Sequence, residues 1–473
     1  MASLPLYVDL DGTLIATDLL HESLLQLVRT EPLSLLQLPG WLLRGKAVLK
    51  REVAQRVEID VTTLPYRPQV LQHLREARAA GRRIVLATAS DAKFAKQVAA
   101  HLGLFDAVIA SDGARNLGGV HKLAAIQADA GGAAFAYAGD RAADMPVWRG
   151  SGAAVVVSRS RGLAREAGLN TRTEAVIEPA AAPFGRYLYG IRLHQWLKNL
   201  LIFLPLMPVL HDLTADILVD AALAFLVFGL MASGIYVFND LLDLASDRRH
   251  HRKYRRPFAS GEIPVGQGLL ISASLGAVSL ALSVALLPWE FVGVLLLYMA
   301  LTTAYSVFLK RRAVVDVFAL AGLYTIRLAA GATATGLPLS FWILSFSLFI
   351  FLSLALAKRY VELTGPHSKV TTEKNDRGYY VTDATFVLCA GISAGQMSAL
   401  LLSLYINNQD MMARYAHPAY LWMLIPVFLF WIIRIWLKAV RGVLHDDPVV
   451  FAARDWVSRV AVCIGAAALW LAG

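Results

Sequence analysis

The chain reads as two folds in series: an α/β domain with a parallel sheet and a helical cap, then an all-α membrane domain of about nine transmembrane helices. Three observations predict this. Hydrophobic residues make up 57% of the 473 positions and charged residues only 17%, against roughly 45–50% and about 25% in average soluble domains. The apolar excess is uneven: charges are interspersed up to about Pro179, whereas from about Arg186 long apolar runs are separated by short polar loops. Within the first part, short apolar runs alternate with helix-like segments, as a buried parallel sheet flanked by helices requires. A wholly soluble, a disordered and a collagen-like protein are thereby excluded. The divisions expected are residues 1–180 for the α/β domain, 181–185 for a linker and 186–473 for the membrane domain.

The apolar runs of the first domain fall at 6–11 (LYVDLD), 84–88, 107–110, 134–138 and 153–157. Each has the length of a buried strand. Between the first two lies an insert of roughly 70 residues, about 15–81, with helical patterning, and an insert that long after a strand's carboxyl end is expected to be a cap. The start, MASLPLYVDLDGTL, lacks a basic stretch, a long apolar stretch and a cleavage site, so no secretory signal is expected and the domain should lie in the cytoplasm. Cys389 and Cys463 sit in apolar runs at no metal or redox spacing and read as packing residues.

Polar residues gather at the strand ends, where ligands bind in open α/β sheets. Asp9 and Asp11 close the first strand and Gly12-Thr13 follow. Thr88 and Ser90 end the second, Lys122 opens a later helix, and Gly139, Asp140 and Asp144 end another. Two carboxylates one residue apart, a hydroxyl, a lysine and further acids can assemble a phosphate site with Mg²⁺. DLDGT, Thr88, Lys122 and GDRAAD resemble, in order, the four motifs of the haloacid dehalogenase superfamily, over about the first 180 residues. That resemblance implies a Rossmann-like fold, Asp9 as phosphoaspartyl nucleophile and Asp11 as general acid/base. It further implies Thr88 and Lys122 on the phosphate, and Asp140 with Asp144 holding Mg²⁺ alongside Asp9. The second aspartate, Asp11, marks phosphotransferases within that superfamily, so phosphatase chemistry is the expectation.

In the second part, spanning segments are expected near 203, 227, 276, 299, 325, 347, 392, 428 and 464. The net charge of +10 resides mostly in alternate loops. RRHHRKYRR, KRR, KRY with Lys369, Lys374 and Arg377, and Lys438 with Arg441 face one side; the other loops hold one cation, Arg414. This positive-inside asymmetry predicts a multi-pass inner (plasma) membrane protein with the first domain and both sites cytoplasmic and Gly473 external, and it argues against nucleic-acid binding.

Chemistry concentrates at the cytoplasmic end of the second span, YVFNDLLDLASDRRHHRKYRRPFASG. Asn239, Asp243 and Asp247 recur at i, i+4 and i+8 and should share a helix face, with Asp240 beside them. Oxygen ligands at a membrane-embedded helix end suit Mg²⁺ shared with substrate phosphates. Arg248, Arg249, Arg252, Lys253, Arg255 and Arg256 follow at once as an anion-binding run. Tyr305, Lys310 and Asp316 lie further on, Arg327 sits deep in an apolar run, and Lys358, Arg359 and Glu362 close the sixth span. An intramembrane ionisable residue such as Arg327 is a functional candidate by default; for Lys358 and Arg359 simple snorkelling is the alternative.

NDxxDxxxD with its basic tail resembles the UbiA superfamily of intramembrane prenyltransferases over about 186–473. HQWLKNLLIF, NDLLDLASDRRHHRKYRRP, YSVFLKRRAVVDVFALAGLYTIRLAAGA, SFWILSF and LALAKRYVEL are similar to its decaprenyl-phosphate phosphoribosyltransferase subgroup, which acts in cell-wall assembly. His251 stands where that subgroup usually has proline, and the second aspartate motif is reduced to Asp316 with Lys310. The resemblance implies that Mg²⁺ held by Asn239, Asp240, Asp243 and Asp247 grips the diphosphate of phosphoribosyl pyrophosphate. Basic residues such as Lys198, Lys253, Arg256 and Lys310 would neutralise phosphates while a polyprenyl phosphate attacks the anomeric carbon. Two alternatives stay open: prenyl transfer from a polyprenyl diphosphate to an aromatic acceptor, and a phosphatase merely anchored in the bilayer. The cap leaves the phosphatase substrate unread, although a phosphorylated ribosyl lipid made on the same membrane face is a candidate.

Overall fold

The computed structural model describes residues 4–365, 377–413, 415–444, 451–452 and 454–473; Lys369, Lys374 and Arg414 lie outside them. Two compact units emerge: Met1–Ile191 with Tyr236–Ser272, and Arg192–Ile235 with Ala273–Gly473. This differs from the linear division expected, because a loop segment of the membrane half packs with the α/β domain.

The first unit is built on six parallel strands, β1 (Leu6–Val8), β2 (Ile84–Asp91), β3 (Ala107–Ser111), β4 (Ala136–Gly139), β5 (Ala153–Val157) and β6 (Arg172–Ile177), ordered β3-β2-β1-β4-β5-β6. The first five coincide with the apolar runs. β6 escapes that reading because RTEAVI is an edge strand with no residue fully buried, so its backbone pairing rather than an apolar pattern places it. The chain winds outward from β1 in both directions, and Asp9 therefore follows β1 at the switch point where such sheets bind ligands.

The cap is helical as expected. Its helix Leu19–Thr30 starts at Asp18, whose side chain accepts hydrogen bonds from the Leu20 and His21 amides, satisfying two of the helix's open donors. Lys46–Arg56 follows, and Pro68–Ala79 buries Val70, Leu74 and Ala77 in the core with β1 and β2.

Seven helices among the described residues are long and apolar enough to cross a bilayer: Ala215–Leu242, Val265–Leu286, Trp289–Val307, Val315–Thr335, Phe341–Thr364, Val381–Ile406 and Pro418–Val440. The other two expected spans are helical but different. Leu193–Asp212 is wound in 3-10 turns, with Pro205 and Pro208 inside and a kink at Val209, as prolines without amide hydrogens dictate. Trp456–Ala472 is apolar but has 17 residues, about 26 Å of helix against a hydrocarbon core of about 30 Å. In the second unit Gly331 lets Leu193–Asp212 approach closely, since a Cβ there would lie 1.9 Å from the Ile202 carbonyl oxygen.

Candidate functional sites of the two units

The hydrolase-like site assembles at the carboxyl ends of β1, β2 and β4. Asp9 is 6% exposed, Thr88 is fully buried and Lys122 is 3% exposed. The Lys122 ammonium lies 3.0 Å from Asp9 Oδ1 and 3.4 Å from Asp144 Oδ1, and donates to the Tyr137 hydroxyl at 2.8 Å. Tyr137 in turn donates to Asp144 Oδ1 at 2.7 Å. Carboxylate oxygens of Asp9, Asp140 and Asp144 all lie within 4.8 Å of one another. Clustered carboxylate oxygens are the hard donors that Mg²⁺ takes beside water and substrate phosphate, so these residues fit the ion.

Gly12 is required here. Its φ of +78° disfavours any side chain, and a Cβ would sit 2.2 Å from Asp140 Oδ2. Asp11 is fixed by the Leu19 amide at 2.9 Å and by the Ser90 hydroxyl. Burial, reinforced by the nearby Asp18 charge, pushes its carboxyl up to about 7, the range suited to a general acid. Burial likewise raises Asp140 to about 6 and raises Asp9, for which the Lys122 charge is a partial offset. Burial opposes the charge on Lys122, but Asp9 and Asp144 outweigh it and hold the ammonium above its ordinary value.

Two basic residues at this site were not foreseen. Lys50, on the cap, donates to the Ala89 carbonyl at 2.6 Å and to Asn116 at 3.1 Å, and burial lowers its ammonium. Arg141 donates to the Asp11 carbonyl at 3.0 Å. Arg141 sits inside GDRAAD and could have been read; Lys50 carries no local signal, because its partners lie 39 and 66 positions away.

The acidic motif of the membrane half belongs to the first unit. The helix Ala215–Leu242 does not run through it: Asp243 leaves helical geometry (φ −96°, ψ 9°) and a short helix Leu244–Arg249 follows. Backbone bonds from the Asp243 amide to the Asn239 carbonyl and from the Asp247 amide to the Asp243 carbonyl persist across the break, but the Asp243 carboxylate lies 3.7 Å from Arg29 of the cap. Asp240 and Asp247, 5% and 2% exposed, converge on one atom, Arg256 Nη1, at 3.0 and 2.6 Å. Burial raises Asp247 despite that arginine. Both offer the hard oxygen donors that Mg²⁺ takes, but the Arg256 guanidinium occupies the point they share. Asn239 is half-buried and Lys253 is exposed in the turn Lys253–Arg255. Arg248 is turned away, its guanidinium bidentate on Glu22 of the cap at 2.7 and 2.8 Å.

The remaining candidates lie in the second unit. Asp316 and Arg359, both fully buried, form an ion pair at 2.5 Å. Arg359 also pairs with Glu362 and donates to the Tyr305 hydroxyl at 3.5 Å. Tyr379, unforeseen, donates to Asp316 at 2.8 Å. Arg327 is 3% exposed, donates to Asn199 at 3.0 Å, and lies 5.3–5.5 Å over the rings of Tyr298, Phe228 and Tyr324. Lys198 also lies 5.5 Å from the centre of the Tyr324 ring. Lys310 and Lys358 are half-buried, as a snorkelling lysine would also be, whereas Arg359 is fully buried in its ion pair.

Comparison with known proteins matches the haloacid dehalogenase-like hydrolase family over residues 6–149 and the UbiA prenyltransferase family over 210–448. The uncharacterized protein y4nM of Sinorhizobium fredii is 39% identical over 463 residues, 96% of this chain and 88% of that protein. The nodulation protein NoeC of Azorhizobium caulinodans is 36% identical over 289 residues, 60% of this chain and 92% of that one. A decaprenyl-phosphate phosphoribosyltransferase of Mycobacterium tuberculosis is 34% identical over 236 residues, 47% of this chain and 78% of that one. With a family match over more than half its length, the chain belongs to the UbiA prenyltransferase family and carries a haloacid dehalogenase-like hydrolase domain fused in front of it.

Proposed function

We propose that the membrane half transfers 5-phosphoribosyl from phosphoribosyl pyrophosphate to a polyprenyl phosphate, and that the first domain is a phosphoaspartyl phosphatase on the same, cytoplasmic, membrane face. The observation that carries the transferase reading is the convergence of Asp240 and Asp247 on one point beside a basic run. That arrangement suits a diphosphate, and the 34% identity with a decaprenyl-phosphate phosphoribosyltransferase favours this donor. Asn239, Asp240, Asp243 and Asp247 would hold Mg²⁺, which supplies charge neutralisation to the departing pyrophosphate. Lys253 and Arg256 bind its oxygens. A lipid phosphate oxygen bonds to the anomeric carbon as the carbon–oxygen bond to pyrophosphate breaks. Most of the work is positioning and electrostatics.

In the first domain, an Asp9 oxygen attacks phosphorus while Asp11 protonates the leaving oxygen. Thr88 and Lys122 hold the phosphoryl oxygens, and Asp11 then takes the proton of the water that cleaves the phosphoaspartate. Asp9, Asp140 and Asp144 would hold Mg²⁺.

The test uses the full chain in bilayers with Mg²⁺ and polyprenyl phosphate. Pyrophosphate release from phosphoribosyl pyrophosphate should depend on the lipid and vanish in Asp243→Ala. Release that is independent of the lipid overturns the acceptor. Consumption of polyprenyl diphosphate with an aromatic acceptor instead would establish the prenyl-transfer alternative.

A further inference from the structure

The cap helix Leu19–Thr30 carries a face that hydrolase chemistry does not use. Glu22, Leu25 and Arg29, spaced i, i+3 and i+7, share it. Leu25, 5% exposed, packs in one core with Val237, Leu241, Leu244 and Phe258. Glu22 accepts both terminal nitrogens of Arg248, whose Nε donates to the Ala259 carbonyl at 3.0 Å. Thr17 orients the same carboxylate at 2.5 Å. Arg29 Nη1 stands 3.7 Å from Asp243 Oδ1, and Asp60 of the cap binds Arg249 at 2.8 Å.

Charge gives this arrangement a purpose. Arg248 follows Asp247 directly in the chain, and with 5% side-chain exposure it has no hydration to fall back on. Released from Glu22, it is a strong cation competing for the acidic motif. Glu22 turns it away, and the half-buried Arg256 is the guanidinium that pairs with Asp240 and Asp247.

Building on the transferase reading, we propose that this face of the cap is a positioning surface for the transferase's acidic loop, with Glu22 holding Arg248 off the carboxylates that bind the divalent cation. Glu22 and Arg29 are then positioning residues for transfer, although they belong to the hydrolase domain.

The experiment measures two quantities on the full chain in bilayers. One is the Mg²⁺ concentration that half-protects the peptide 236–256 from hydrogen exchange. The other is the half-saturating Mg²⁺ for transfer. Glu22→Gln should raise both by at least about tenfold, the scale on which a neighbouring opposite charge alters a carboxylate's cation affinity, with the rate at saturating Mg²⁺ within about twofold. Glu22→Asp should fall between. The decisive variant is Glu22→Gln/Arg248→Gln, which removes the competing cation and should return both midpoints toward wild type, a recovery that mere loosening of the fold does not produce. The proposal is overturned if Glu22→Gln leaves both midpoints unchanged, if the double variant is no better than the single, or if Mg²⁺ does not protect 236–256 in wild type. Should wild type transfer nothing while the exchange midpoints still move as stated, the transferase reading fails and the positioning surface stands.

Discussion

Arg359→Met should destabilise the membrane half more than it impairs substrate binding. Arg359 and Asp316 are both fully buried and joined at 2.5 Å, and Tyr379 donates to the same carboxylate. Removing the guanidinium leaves Asp316 an uncompensated buried charge, which costs about 3–5 kcal/mol. For a unit of this size, about 2–4 °C per kcal/mol converts that to a fall of roughly 6–20 °C in the temperature at which half of the detergent-solubilised protein stays monodisperse. Adding Asp316→Asn removes the stranded charge and keeps an acceptor for Tyr379, so the double variant should regain at least half of the loss. The assay is the monodisperse fraction after heating, alongside transfer measured well below the midpoint. An Arg359→Met protein that melts within about 2 °C of wild type yet transfers nothing would refute the reasoning and assign Arg359 to substrate.

Three further outcomes follow from the same geometry. Lys122→Met leaves Asp9 and Asp144 facing each other without their shared cation; phosphate-ester hydrolysis should fall by about a hundredfold or more, and a variant with full hydrolysis would remove Lys122 from the site. Gly12→Ala forces a Cβ against Asp140 and strains a φ of +78°; it should raise the Mg²⁺ needed for hydrolysis and cost about 1–3 kcal/mol in stability, checked by titration and thermal unfolding, with unchanged values contradicting the metal assignment. Reporter fusions after Ala259 and Arg312 should read cytoplasmic and one after Gly473 external; a cytoplasmic C-terminus would shift the number of crossings by one.

What the sequence discloses is whatever local pattern encodes. Strands β1 to β5 are apolar runs, and Asp9, Asp140 and Asp144 sit at predictable strand ends, so a metal-fitting cluster joining residues more than 130 positions apart was legible. β6 was not, because an exposed edge strand needs no apolar pattern. The bend at Asp243 was hidden too: i+4 spacing describes neighbours on a helix but not the residue at which the helix stops. Arg248 reads as one more cation in a basic run, and only Glu22, 226 positions away, reveals its different task. Lys50, Tyr379 and Asn199 share that property, since each is defined by a partner distant in the chain.

The most direct test supplies the full chain in bilayers with Mg²⁺, polyprenyl phosphate and phosphoribosyl pyrophosphate labelled separately in the ribose carbons and the 5-phosphate. Ribose label should enter the lipid fraction; the 5-phosphate label should enter with it and then leave as inorganic phosphate, whereas in Asp9→Asn both labels should stay in the lipid. If both labels persist in wild-type lipid, the phosphatase acts elsewhere; if ribose label never reaches the lipid, the account of the transferase is contradicted.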